Sequence, residues 1–186
     1  MKAIILAAGQ GTRLRPLTDN KPKCMVELLG KPLIQHQIET LRRNSIDDIH
    51  IATGYLQEKI DFEGTTKHFN PKYASTNMVY TLFCAEDAMH GDDLLITYGD
   101  IVFNDDVLKK IMQSNSDISV VVDIDWRGYY VGRKDHPISE AENVIFNSNN
   151  EVVKIGKINT GNEEVHGEFI GMIKLSNRGA EIFKEH

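Results

Sequence analysis

The chain has 186 residues, a formal net charge of -6, and 41% hydrophobic and 8% aromatic residues. That balance suits one globular core and carries no basic excess to neutralise a nucleic-acid backbone, so any phosphate site must be local. Cys24 and Cys84 are too few for a disulfide scaffold, and the apolar run from Ala3 to Ala8 is too short for a signal core or a membrane span. The expectation is a cytoplasmic protein with reduced thiols and neither nucleic acid nor membrane as partner.

Ala3-Ile4-Ile5-Leu6-Ala7 is a continuous apolar run closed by glycine, the pattern of a strand buried on both faces of a parallel sheet. Gly9 to Lys23 reads as a loop. Pro32 suits the first turn of a helix whose apolar positions are Leu33, Ile34, Ile38 and Leu41. Asp48 to Gly54 reads as the second strand, Met78 to Met89 as a helix and Asp93 to Tyr98 as a strand. Asn104 is placed to cap a helix carrying Val107, Leu108, Ile111 and Met112, and Ile118 to Val122 is a further strand.

Strands alternating with helices predict a Rossmann-like, doubly wound α/β fold with a mostly parallel sheet, because parallel strands need crossover connections. Ligands in such sheets bind beyond the carboxyl ends of the strands. The loop at Gly9 and the Gly99-Asp100 pair both fall there. After Asp123 the chain changes character: Val144 to Phe146, Val152 to Ile155 and Phe169 to Leu175 are shorter strands separated by polar turns such as Asn147 to Asn150. They predict a small antiparallel flank over the site, with residues 1–186 forming a single domain.

The segment Leu6-Ala7-Ala8-Gly9-Gln10-Gly11-Thr12-Arg13-Leu14-Arg15-Pro16-Leu17-Thr18 carries the most chemistry. It lacks the Gly-Lys-Ser/Thr of a Walker loop and the third glycine of a dinucleotide fingerprint. Two glycines after a buried strand let backbone N–H groups cradle a phosphate, Arg13 neutralises charge, and Lys23 adds a point charge. On the residues alone a surface turn with solvated basic side chains stays open. Asp100 likewise reads as a turn residue or a ligand, and Asn77 as a helix start or a ligand. Tyr73, Tyr80, Trp126, Tyr129 and Tyr130 are packing aromatics or a cage for a quaternary ammonium group. Glu140, Glu142 and Glu168 are solvated or bind an amine or metal. Glu168 stands out by lying inside an apolar strand between Gly167 and Gly171. The histidines show no zinc spacing, and Cys24 reads as a bystander to Lys23.

The run from Leu6 to Thr18 with Lys21-Pro22-Lys23 resembles the signature of the sugar-1-phosphate nucleotidyltransferase superfamily, L-A-A-G-x-G-T-R-L-x-P-L-T followed by P-K. Lys23-Cys24-Met25-Val26-Glu27, Tyr73, Thr76-Asn77-Met78-Val79, Tyr98 to Val102 and Gly167 to Gly171 resemble its cytidylyltransferase branch. That branch acts on phosphocholine, aminoethylphosphonate and phosphoglutamine-type acceptors. The resemblance implies that Leu6, Ala7, Ala8, Gly9, Gly11 and Thr12, with Asn77, hold the nucleotide. It implies that Arg13 and Lys23 stabilise charge on the triphosphate, that Asp100 ligates Mg2+, and that Lys157 contacts the acceptor phosphate. Glu168 is the best candidate for a second acceptor contact.

The implied partners are a nucleoside triphosphate, CTP favoured, and a phosphorylated small-molecule acceptor, with homo-oligomerisation open. An acceptor phosphate or phosphonate oxygen is already an anionic nucleophile, so positioning and charge neutralisation carry the rate. Magnesium suits the task because it takes one or two carboxylates and fills its shell with phosphates and water. The family's second metal-binding aspartate has no match: a domain truncated at its C-terminal end is expected, the alternative being that a residue such as Glu168 substitutes. Two rivals remain: a hexose-1-phosphate nucleotidyltransferase, and a nucleotide-binding regulatory domain without turnover.

Overall fold

The computed structural model describes residues 1–133, 137–157 and 164–185. Its elements are β1 (Lys2–Ala7), β2 (Glu27–Leu28), β3 (Lys31–Pro32), α1 (Leu33–Arg43), β4 (Ile49–Thr53), β5 (Thr65–Phe69), α2 (Met78–Phe83), β6 (Leu94–Tyr98), α3 (Asp105–Met112), β7 (Ile118–Asp123), β8 (Asn143–Phe146), β9 (Val152–Gly156), β10 (Gly167–Leu175) and α4 (Asn177–Glu185). They gather into two compact units, Met1–Ser119 with Ile173–His186, and Val120–Met172.

In the first unit β1 runs parallel between β4 and β6, pairing Ile5 with Ile51 on one side and with Thr97 on the other. Strand β5 extends the parallel set beyond β4. An apolar strand so enclosed must bury both faces, and Ala3, Ile4 and Ile5 are fully buried. On one face Ile4, Ala52 and Ile96 pack with Leu82 of α2 and with Ala180 of α4. On the other, Gln37 of α1 meets Thr97, which stands in register with Ile5. Helices therefore cover both faces, as the doubly wound reading requires. Asn104 caps α3, accepting from Val107 N at 3.0 Å.

Three details differ from the expected elements. The helix read over Met78 to Met89 ends at Phe83 and resumes as a 3-10 turn, Glu86–Met89. Cys84 N is shared between the Tyr80 and Thr81 carbonyls, and Ala85 N bonds only back to Leu82, so the helix tightens there. Leu82, Ala85, Ala88 and Met89 nevertheless share one core, which preserves a helical period through the break. Pro32 sits just before α1, in a β2–β3 hairpin opposite Glu27. Strand β5, Thr-Thr-Lys-His-Phe, was not foreseen because a mostly exposed strand has no apolar pattern to betray it.

The second unit is antiparallel, as its short strands predicted: β8 pairs with β10 through Glu168 opposite Asn143, and with β9 through Val144 opposite Ile155. Trp126, Tyr130, Ala141 and Val165 form its small core. This assigns Trp126 and Tyr130, two of the five aromatics, to packing. Among the described residues no helix is long and apolar enough to cross a membrane.

The end of β10, from Ile173, and helix α4 are fixed within the first unit by polar groups. Lys174, only 4% exposed, donates to the Ser114 carbonyl at 2.6 Å and pairs with Asp93 at 3.2 Å. Ser176 donates to Asp117 at 2.7 Å and accepts from Gly179 N at 2.9 Å. A Cβ on Gly179 would lie 1.8 Å from the Asp117 carbonyl oxygen. Gly179→Ala is therefore expected to destabilise by about 1–3 kcal/mol, lowering the urea midpoint without changing the slope.

His50 Nδ1 and His68 Nε2, on adjacent strands, lie 2.9 Å apart and share one proton. His50 Nε2 lies 3.0 Å from Asp48 Oδ1 but outside hydrogen-bonding geometry. Burial, then His50, holds His68 below its usual pKa of 6.5, with Asp87 opposing. The unfolded chain protonates His68 first, so neutral His68 favours folding above about pH 6.5, and its contribution fades as pH falls through the folded-state value. His68→Gln is expected to flatten the stability profile between about pH 7 and 5, read by urea denaturation at each pH.

Candidate active site

The chain leaves β1 at Ala7 with a neighbouring strand ending on either side. Gly54 follows β4, and a Cβ there would lie 2.6 Å from Tyr73 Cβ and 2.8 Å from both Ala8 Cβ and the Ala8 carbonyl oxygen. Gly99 follows β6; its N–H donates to the Leu6 carbonyl at 2.9 Å, and a Cβ would lie 2.9 Å from that same oxygen. Leu6, Ala7 and Ala8 are thus clasped between two glycines, and the loop can exit only forward, beyond the carboxyl ends of the strands.

Ahead of the clasp the loop is tethered from within. Gly11 adopts φ +65°, and a Cβ on it would meet Lys23 Cβ at 2.9 Å and Thr18 Cγ2 at 3.0 Å. Thr18, fully buried, donates to the Gly11 carbonyl at 2.8 Å. Tyr55 donates twice, from its backbone N–H to the Ala8 carbonyl at 3.2 Å and from its hydroxyl to the Asp19 carbonyl at 3.0 Å. Gly9 is exposed with nothing within 4 Å of where a Cβ would stand, so its backbone is open to a ligand. Thr12 and Arg13 lie on an exposed 3-10 turn, Thr12–Leu14.

Lys23 starts the second 3-10 turn, Lys23–Met25, beside Gly11. Its Nζ donates to Asp100 Oδ2, and both side chains are partly exposed. The structure therefore brings Leu6 to Ala8, Gly11, Lys23 and Asp100 together. Cys24, next in sequence, is buried; burial and then the Asp100 charge push its thiol up to about 12, so it is inert.

Among the described residues no group of three or more His, Cys, Asp or Glu is arranged to hold a metal ion. Asp100 alone fits a cation that takes its remaining ligands from phosphates and water, and does not fit an all-protein zinc site.

Asn77 caps α2, its Oδ1 accepting from Tyr80 N at 3.0 Å, so the helix-start alternative holds. The loop bearing Tyr73 and Asn77 is built on Asn70, fully buried at the end of β5. Its amide nitrogen donates to Thr76 at 3.0 Å and Thr81 at 2.9 Å, and its oxygen accepts from Lys72 N at 2.8 Å.

In the second unit Glu168 accepts from the Tyr130 hydroxyl, whose pKa burial and then Glu168 push up to about 12. Burial raises Glu142 above the ordinary carboxylate range; Lys157 pulls it down and Glu168 pushes it up. Lys157 is exposed just after β9. Asn143, 6% exposed and flanked in register by Glu168 and Gly156, keeps an unpaired Oδ1. Asn143, Tyr55 and Asn70 escaped sequence reasoning, and Thr18 entered it only as the end of the glycine run. Only Asn143, an amide at the head of an apolar strand, left a signal.

Tyr55→Phe removes the tie to Asp19 and keeps the backbone tie to Ala8. It is expected to cost about 1 kcal/mol of stability and to speed hydrogen exchange at loop amides 9–18, with amides of β1 unchanged.

A family model for nucleotidyl transferases matches residues 2–128. A CTP:phosphoglutamine cytidylyltransferase of Campylobacter jejuni is 38% identical over 190 residues, spanning 95% of this chain and 73% of that protein. A choline-phosphate cytidylyltransferase of Streptococcus pneumoniae is 50% identical over 93 residues, 48% of this chain and 41% of that protein. The solved CTP:phosphocholine cytidylyltransferase of S. pneumoniae superposes with a TM-score of 0.68 at 28% identity, over 99% of this chain and 74% of its own. The glycine loop clasped beside Lys23 and Asp100 lies inside the matched region, and the chain belongs to the nucleotidyl transferase family.

Proposed function

We propose that this enzyme transfers CMP from CTP to a phosphorylated small molecule and releases pyrophosphate. The observation that carries the reading is the Lys23–Asp100 pair set against a glycine loop whose Gly9 backbone faces open space. The named activities of the two cytidylyltransferase relatives favour CTP.

In this reading Leu6, Ala7, Ala8, Gly9, Gly11 and Thr12 supply the backbone that holds the nucleotide, with Asn77 beside it. An acceptor phosphate oxygen attacks the α-phosphorus, a new P–O bond forms, and the bridging P–O bond to the β-phosphate breaks. No proton relay is needed, since the nucleophile is an anion already. Lys23 leaves Asp100 for the triphosphate, and Arg13 adds a second positive charge as negative charge shifts towards pyrophosphate. Asp100, so released, would hold Mg2+, which supplies charge neutralisation at the phosphate oxygens.

Lys157 is assigned to the acceptor phosphate and Glu168 to the acceptor's other end. Glu168 and the orphaned Asn143 Oδ1 are both acceptor groups with capacity left for a ligand, which suits an acceptor bearing N–H or O–H groups. The buried Cys24 thiol and the unpaired Cys84 fit a reducing, cytoplasmic setting.

CTP with Mg2+ is expected to raise the melting temperature more than ATP, GTP or UTP; a preference for UTP or GTP would favour a hexose-1-phosphate acceptor instead. Lys23→Ala is expected to lower pyrophosphate release from CTP and acceptor by about 10²–10³-fold while leaving the urea midpoint close to wild type. Near-normal release from a folded Lys23→Ala enzyme would sink the role given to Lys23. Absence of turnover with every triphosphate and acceptor tried would leave a binding domain.

A further inference from the structure

Gln37 is an anomaly on α1: it lies among Ile34, Ile38 and Leu41 on the buried stripe, and it is itself 0% exposed. A buried amide costs stability unless each polar atom is paired, and here they are paired with one purpose. The amide nitrogen donates to the Tyr98 carbonyl at 2.8 Å and to the Ile101 carbonyl at 2.8 Å. The amide oxygen accepts from the Thr97 hydroxyl at 2.8 Å. That third bond fixes which way the amide faces, so the nitrogen must point at the two carbonyls. The two carbonyls bracket Gly99-Asp100, while Gly99 is clasped to Leu6 from the other side.

We propose that Gln37 is a positioning residue that sets where the Asp100 carboxylate stands, and through it how tightly the site takes a divalent cation. This rests on the assignment of Asp100 as the metal ligand. The Gly99-Asp100 turn closes only weakly through its own backbone, since the Ile101 N–H to Tyr98 carbonyl contact is long at 3.5 Å, and a turn so held samples several conformers around Asp100. One rigid side chain on a packed helix closes the turn across both carbonyls and removes that freedom. Groups that orient a metal ligand typically change metal affinity by about 10–100-fold when removed.

The test uses Mn2+ as probe, counted by electron paramagnetic resonance in the presence of CTP, together with amide hydrogen exchange over residues 98–102. Gln37→Met keeps the volume and removes the three bonds. It is expected to raise the Mn2+ Kd about tenfold and to speed exchange at Gly99, Asp100 and Ile101, with β1 amides unchanged. Thr97→Val, a milder change of like shape, frees only the amide oxygen and is expected to give a smaller shift in the same direction. It serves also if Gln37→Met fails to fold. A purely structural Gln37 would lower the melting temperature and leave Mn2+ affinity as it was, and that result overturns the proposal. Asp100→Asn separates the two claims. If it binds Mn2+ as wild type does, or if wild type binds none, the metal assignment falls and the proposal with it. If it loses Mn2+ while both Gln37→Met and Thr97→Val keep wild-type affinity, the proposal alone falls.

Discussion

Everything at the candidate site follows from the crowding of one strand. β1 is parallel to neighbours on both sides, so three chain segments leave the sheet together at its carboxyl end. Strand spacing of about 4.8 Å leaves no room for side chains where those exits touch. The contacts of Gly54 with Ala8 and of Gly99 with Leu6 are the result. The Gly99 N–H pairs with the Leu6 carbonyl and the Tyr55 N–H with the Ala8 carbonyl at these exits, so the chain that continues past Ala8 is directed forward, beyond the sheet. In a doubly wound fold this is also where the chain reverses direction, having moved from β1 outward to β4 and β5 before crossing to β6.

Charge is arranged sparingly around that opening. In an acidic chain, one lysine and one aspartate face each other there, each the other's counter-ion. A partly exposed pair of this kind contributes little to stability, which leaves it available for exchange. In the proposed reaction a triphosphate would offer Lys23 a stronger partner, and a cation would do the same for Asp100.

Much of this was legible in the residues. The strands β1, β4 and β6 declared themselves by apolar content, because burial on both faces leaves no alternation to interpret. Helix α3 declared itself through Asn104. The edge strand β5 did not, since Thr65 to Phe69 is mostly exposed and carries no apolar pattern. The helix over Met78 to Met89 was read as one piece because its core positions keep a helical period across the break. In the site, Lys23 comes beside Gly11, whereas the two side chains that tether the loop, Tyr55 and Thr18, act through backbone carbonyls. Partners of that sort have no pattern in sequence. Gln37 is intermediate: a polar residue on an apolar stripe is visible, but its partners Tyr98 and Ile101 are known only once the strands are placed.

The double tie of Tyr55 has a consequence for chain length. Ala8 and Asp19 are held by the same residue, one through its backbone and one through its hydroxyl. The segment between them is thus a ring of set circumference, closed before any ligand arrives. Most of the loop-closure entropy is spent on folding rather than on binding. A ring of fixed circumference tolerates exchange of side chains around it far better than the gain or loss of a link. Replacing an outward residue such as Leu17 leaves both anchor points where they are, whereas inserting a residue beside Gly9 must move either an anchor or the open backbone between them.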